Sequence, residues 1–194
     1  GRTLADILLG KVNPSGKLNV SFPRSTGNTP CFYNHFVTDR EEPFDQPGTP
    51  EEPKGHYIFD KPEPLWNFGH GKSYTTFDYV DCALSDTLLA ASDTLKVSVM
   101  IKNTGRCDGK EVVQLYVRDK VSTVATPIQQ LKAFQKVLVK SGESQCVELS
   151  LPIAELALYN AKMEEVVEPG DFEIQIGAAS DDIRFKKTIT INRK

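Results

Sequence analysis

Thr94-Leu95-Lys96-Val97-Ser98-Val99-Met100-Ile101-Lys102 alternates without a break: Leu95, Val97, Val99 and Ile101 fall on one side of an extended chain, the other five residues on the opposite side. That period of two marks a strand with one face in a core and one in water. Downstream the pattern recurs, and strands are expected at 111–118, 131–139, 145–151, 171–177 and 183–191. Turn signals separate them: Asn103-Thr104-Gly105, Ser141-Gly142-Glu143 and Glu168-Pro169-Gly170-Asp171, where Pro169 and Gly170 suit the centre of a type II turn. The glycines of Asn103-Thr104-Gly105 and Asp108-Gly109 read as hairpin chemistry rather than anion cradles. About seven short strands between residues 78 and 194, with no helix-length apolar pattern, predict an all-β, immunoglobulin-like sandwich.

Upstream of this region the character of the chain changes. Residues 3–9 place Leu4, Ile7 and Leu8 at helical spacing before Gly10, which predicts one short helix in need of a partner surface. Turn chemistry at residues 12–18 leads into a short strand expected at 18–22, ended by Pro23. Both pieces look like the last helix and strand of a larger α/β layer. Residues 41–64 carry Pro43, Pro47, Pro50, Pro53, Pro62 and Pro64 between acidic residues, which predicts an extended linker. The run Pro64-Leu65-Trp66-Asn67-Phe68-Gly69-His70-Gly71-Lys72-Ser73-Tyr74-Thr75 then forms a junction: two close glycines permit tight backbone approach, while Trp66, Phe68 and Tyr74 supply apolar faces to hold it down. The chain does not open on Met, and Met100 and Met163 are internal, so a fragment or processed product is expected.

Composition narrows the chemistry. Hydrophobic residues at 39% and charged residues at 25% suit a globular chain, and a net charge of -3 offers no basic field for nucleic acid or anionic lipid. No apolar run approaches the roughly 20 residues of a membrane-spanning helix. Cys31, Cys82, Cys107 and Cys146 form no C-x-x-C pair and read as buried or idle thiols; Cys82 and Cys146, both in expected strands, are the first pair to test for a disulfide. His35, His56 and His70 match no helix-face or finger spacing, so no metal or cofactor site is expected. The carboxylates of 39–42 and of Glu51-Glu52 read as solvated linker charges, not a catalytic pair. Tyr57, Phe59, Trp66 and Tyr74 could stack on sugar rings, but covering a junction is the reading preferred; Tyr79, Tyr116 and Tyr159 are too scattered to form a row. Asn19-Val20-Ser21 fits a glycosylation sequon.

Several ordered stretches resemble glycoside hydrolase family 3, the β-glucosidases and β-xylosidases. Ala5-Asp6-Ile7-Leu8-Leu9-Gly10, Asn13-Pro14-Ser15-Gly16-Lys17-Leu18 and Ser21-Phe22-Pro23-Arg24 are similar to the motif that closes the family's α/β sandwich domain, and Tyr33-Asn34-His35 to a stretch beyond it. The junction run is similar to the family's lead into its C-terminal fibronectin-type domain, with Lys72 where an apolar residue is usual. Within the sandwich, Asn103-Thr104-Gly105, the run from Gly109 to Val117, Gln130-Leu131-Lys132-Ala133-Phe134 and Val167-Glu168-Pro169-Gly170-Asp171-Phe172 resemble that domain's motifs.

The resemblance implies residues 1–40 as the end of an α/β domain, 41–77 as linker and junction, and 78–194 as a fibronectin type III-like β-sandwich. A retaining glycosidase needs two carboxyl groups about 5 Å apart, and in this family both usually lie ahead of the motifs present here. No catalytic residue is therefore assigned, and the chain alone is expected to be inactive. Its implied role is to pack on and stabilise the catalytic domains of a parent that hydrolyses β-glycosidic bonds, in the periplasm or outside the cell. An autonomous carbohydrate-binding or adhesion module is the alternative, and docking of the N-terminal segment on a second copy is a further expectation.

Overall fold

The computed structural model describes residues 1–36 and 63–192. Seven of its strands run eight residues or longer: β1 (Phe77–Leu84), β3 (Thr94–Asn103), β4 (Gly109–Asp119), β5 (Gln130–Val139), β6 (Ser144–Pro152), β9 (Gly170–Ala179) and β10 (Asp182–Ile191). Two-residue strands β2 (Leu88–Leu89), β7 (Leu158–Tyr159) and β8 (Glu165–Val166) complete the set. One sheet has the order β1-β3-β6, the other β2-β10-β9-β4-β5, and β7 pairs with β8. Every pairing is antiparallel except β2 on β10.

The alternation at 94–102 sets the register. Leu95 faces Leu151, Val97 faces Leu149 and Val99 faces Val147 across β3 and β6, and these three β3 residues with Ile101 are wholly buried. They meet Val113, Leu115, Ile174, Ile176 and Ile189 of the second sheet in one core. A one-residue slip would turn the whole inward row to solvent, so burial fixes the pairing. The sandwich expected from sequence is the observed fold.

Four local expectations need correction. The Gly105 and Gly109 turn is not a hairpin: Asn103 ends β3 in one sheet and Gly109 begins β4 in the other, so the chain crosses between sheets. A Cβ on either glycine would collide with Thr75, so close approach is their function there. Gly170 belongs to β9, opposite Ile191, with φ +154 rather than the type II value near +80. The type II pattern is met instead at Gly142, φ +78, where the Glu143 amide donates to the Lys140 carbonyl at 3.0 Å, as it is also at Gly69. Residues 18–22 join no sheet among the described residues, and Phe22 forms an isolated bridge to Trp66. Finally, Cys82 lies opposite Val99 on one side of β3 and Cys146 opposite Met100 on the other. Cys82 is buried and Cys146 exposed, so the two thiols point to opposite faces with a strand between them. At about 4.8 Å per strand step, their backbones lie beyond the roughly 7 Å reach of a disulfide. All four cysteines are free thiols.

Candidate functional site: the seam between the N-terminal segment and the sandwich

Helix α1 (Arg2–Leu8) buries no residue. It stops at Gly10, φ +71, whose amide donates to the Ile7 carbonyl, and the chain turns into Asn13. That side chain joins three segments. Its Oδ1 accepts the Tyr74 amide at 2.9 Å and the Ser73 hydroxyl at 3.0 Å, while its Nδ2 donates to the Asp108 carbonyl at 2.9 Å. The Tyr74 hydroxyl donates to the Ile7 carbonyl at 2.8 Å, which ties the junction to the end of α1.

Four residues further on, Lys17 Nζ lies 3.1 Å from Glu111 Oε1, with 19% and 8% of the two side chains exposed. Burying a carboxylate in a β-strand is costly without a partner. Here the Tyr79 hydroxyl also donates to Oε1, at 3.3 Å. Burial, and then the Glu111 charge, push the Tyr79 phenol far above its ordinary range, so it stays a neutral donor.

Residues 64–71 form a strap over the five-stranded sheet. The Leu18 amide donates to the His70 carbonyl at 2.8 Å, the Gly69 amide to the Leu18 carbonyl at 2.7 Å, and the Phe22 amide to the Trp66 carbonyl at 2.8 Å. On its other side the Phe68 carbonyl accepts the Ser180 amide at 2.9 Å. Beneath it Tyr116, fully buried, donates to Gln114 Oε1 at 2.6 Å, and Gln114 Nε2 donates to the Ala178 carbonyl at 2.6 Å. Tyr33 stacks on Phe68 at 4.1 Å and meets Tyr116 edge-on at 5.9 Å. In this seam the side chains of Asn13, Lys17, Glu111, Gln114 and Tyr116 bond to one another or to neighbouring backbone, and Tyr33, Phe68 and Tyr116 pack ring on ring. Its chemistry is that of adhesion between segments.

Other residues singled out from sequence fall into place around it. The His35 carbonyl accepts the Ile128 amide and the His70 carbonyl that of Leu18, so both contribute backbone, while the His35 ring lies against the Phe36 carbonyl. Among the described residues no group of three His, Cys, Asp or Glu side chains could hold a metal ion. Trp66 meets Phe22 edge-on at 5.9 Å, with about half of each side chain in solvent. Asn19 is exposed. His56, Tyr57, Phe59, the carboxylates of 39–42 and Glu51-Glu52 lie outside the described residues. At the far end of β4 a cleft between Asp119, Gln130, Lys132 and Phe172 has two ionisable groups. Burial raises the Asp119 carboxyl and lowers the Lys132 amine, which donates to the Glu155 carbonyl at 2.7 Å. Sequence reading missed the partnership of Lys17 with Glu111 and the role of Tyr33. Glu111 and Gln114 were signalled by their place in the motif-bearing run from Gly109 to Val117 and by polarity beside Val112, Val113 and Leu115, but neither signal pointed to their partners.

Comparison with known proteins agrees with this arrangement. Residues 1–74 match the family model of the glycosyl hydrolase family 3 C-terminal domain, and residues 111–180 that of the fibronectin type III-like domain. A beta-xylosidase of Formosa agariphila is 40% identical over 196 aligned residues, covering 100% of this chain and 25% of the relative. A periplasmic beta-glucosidase of Salmonella typhimurium is 38% identical, covering 95% and 24%. The crystal structure of a beta-glucosidase from Listeria innocua in complex with glucose superimposes with a TM-score of 0.87 at 37% identity, covering 100% of this chain and 26% of that one. The chain thus spans about a quarter of the length of these relatives. With both models matched in order and such identity sustained along the chain, this protein belongs to glycoside hydrolase family 3, as a C-terminal part that carries the family's fibronectin type III-like domain.

Proposed function

We propose that this chain is the non-catalytic C-terminal part of a β-glucosidase-like hydrolase, and that it packs on and stabilises catalytic domains that cleave β-glycosidic bonds. One observation carries the reading. Among the described residues, large apolar side chains left in solvent concentrate in 1–36 and 63–74: Leu4, Leu8, Leu9, Phe22, Phe32 and Trp66 are 43–73% exposed, although the sandwich has completed a core of its own. A helix of seven residues with no buried side chain has no reason to persist in water alone, and apolar side chains exposed in this number mark a docking face.

On this reading residues 1–40 are the end of an α/β domain, 41–77 a linker and junction, and 78–194 the sandwich that anchors them. The partner is the parent's own catalytic domains, and the name of the Salmonella relative supports a periplasmic or secreted setting. The test is to produce the upstream part of the parent enzyme with and without these 194 residues. Their removal should lower the melting temperature and the turnover of an aryl β-glucoside, and the isolated chain should turn over none. An upstream part equally stable and active alone would refute the role.

A further inference from the structure

Motifs far apart in the chain converge at one end of the sandwich. Asn13 and Lys17 come from the loop after α1, Ser73 and Tyr74 from the junction, and Asp108 and Glu111 from the start of β4. Sequence separations of 94 and 95 are bridged by one asparagine side chain. At the centre lies an ion pair shielded on both sides, and next to it Gly71 lies so close to the Gly16 carbonyl that a Cβ would collide with it.

From this we infer that Lys17 is the latch of a clasp. Its pairing with Glu111 couples docking of residues 12–22, the 64–71 strap and the junction residues Ser73 and Tyr74 to the sandwich, and the clasp opens as one unit while the sandwich stays folded. This deepens the proposed function, on which its significance rests, because Tyr74 and Asn13 carry the clasp directly to the end of α1 and so let the sandwich set where that helix points. The physical basis is asymmetric: an intact buried pair adds little, but removing one partner strands the other charge in a site built to exclude water. Glu111 without Lys17 therefore draws water into the loop rather than into the core, since it is the third residue of β4, beside Lys17, whereas the inward row of β3 is wholly buried.

Hydrogen exchange on the 194-residue chain tests this without the parent enzyme. In Lys17→Met, which keeps the stem and removes the charge, the amides of Leu18, Phe22, Gly69 and Tyr74 should exchange on the order of 100-fold faster. Those of Val97, Val99 and Ile174 should keep their protection. Lys17→Arg should restore most of the seam protection, and Lys17→Met combined with Glu111→Gln should exchange more slowly than the product of the two single effects. Unchanged seam amides in Lys17→Met, equal acceleration in seam and core, or strictly multiplicative singles would each overturn the latch. Because these amides are read in the isolated chain, a failure here is distinct from a finding that the parent enzyme has no need of its sandwich.

Discussion

Gly69 rests directly on the side chain of Gln114: a Cβ at residue 69 would stand 2.5 Å from Oε1 and 2.9 Å from the Ala179 Cα, and Gly69 has φ +82. Two independent costs therefore fall on Gly69→Ala, the left-handed backbone and the collision. Gly142, with φ +78 and open space around its missing Cβ, isolates the first. Gly142→Ala should cost about 1 kcal/mol. Gly69→Ala should cost about 2–4 kcal/mol, because Gln114 is held by Tyr116 and the Ala178 carbonyl and cannot swing aside. Urea denaturation of the two variants measures the difference, and equal costs would mean that the strap does not press on the sheet.

The four thiols should divide by exposure. Cys146 is exposed and should alkylate readily in the native protein, whereas Cys82 is 3% exposed and its thiol is pushed up by burial, so it should react only after denaturation. Timed alkylation followed by mass spectrometry reads both. A peptide linking Cys82 to Cys146 under native oxidation would contradict the β1-β3-β6 order.

How much of this was legible beforehand depended on whether a residue's role is local. The inward row from Leu95 to Ile101 declared itself because a strand's two faces are written into adjacent residues. Leu18, Val20 and Phe22 alternate in the same way, yet Val20 is 55% exposed and no sheet among the described residues receives them. Alternation says that a segment can be extended, while its neighbour is chosen by the rest of the chain. Gly105 and Gly109 were legible as glycine-requiring positions but not as a crossing between sheets, because a hairpin and a crossing use the same residues. Nothing local connects Lys17 to Glu111 or Asn13 to Asp108, and only the folded chain brings them within hydrogen-bonding distance.

The Glu168 carboxylate should make the 121–124 loop sensitive to acid. It accepts the Thr123 amide at 2.9 Å and the hydroxyls of Thr123 and Ser122, and these bonds hold its pKa below the ordinary value of 4.5. A lowered folded-state pKa means that the native state binds the proton less readily than the unfolded chain. The contribution is thus complete above about pH 4.5 and fades as the pH falls through the depressed value. Exchange at the Thr123 amide, corrected for intrinsic rate, should hold steady from pH 7 to about 5 and quicken below. Glu168→Gln should show the loosened loop at neutral pH and lose the pH step, and a step that survived in that variant would assign it to another group.

Met163 offers the opposite sign, a substitution that should stabilise. It sits at φ +62 in the turn between β7 and β8, with 77% of its surface in solvent. Its amide donates to the Asn160 carbonyl at 2.9 Å, and Asn160 Oδ1 accepts the amides of Lys162 and Glu164. The turn is therefore imposed by Asn160, and Met163 adopts a left-handed backbone that its Cβ resists without gaining contacts in return. Met163→Gly removes that resistance but gives the unfolded chain more freedom to lose, and the first effect should win by about 0.5–1 kcal/mol. For a domain of this size the melting temperature should rise by about 1–4 °C. Asn160→Ala should instead lower it, because two amides lose their acceptor. If Met163→Gly melted lower than the parent chain, the exposed methionine would have to be supporting the turn through its side chain, and the backbone account of this hairpin would be wrong.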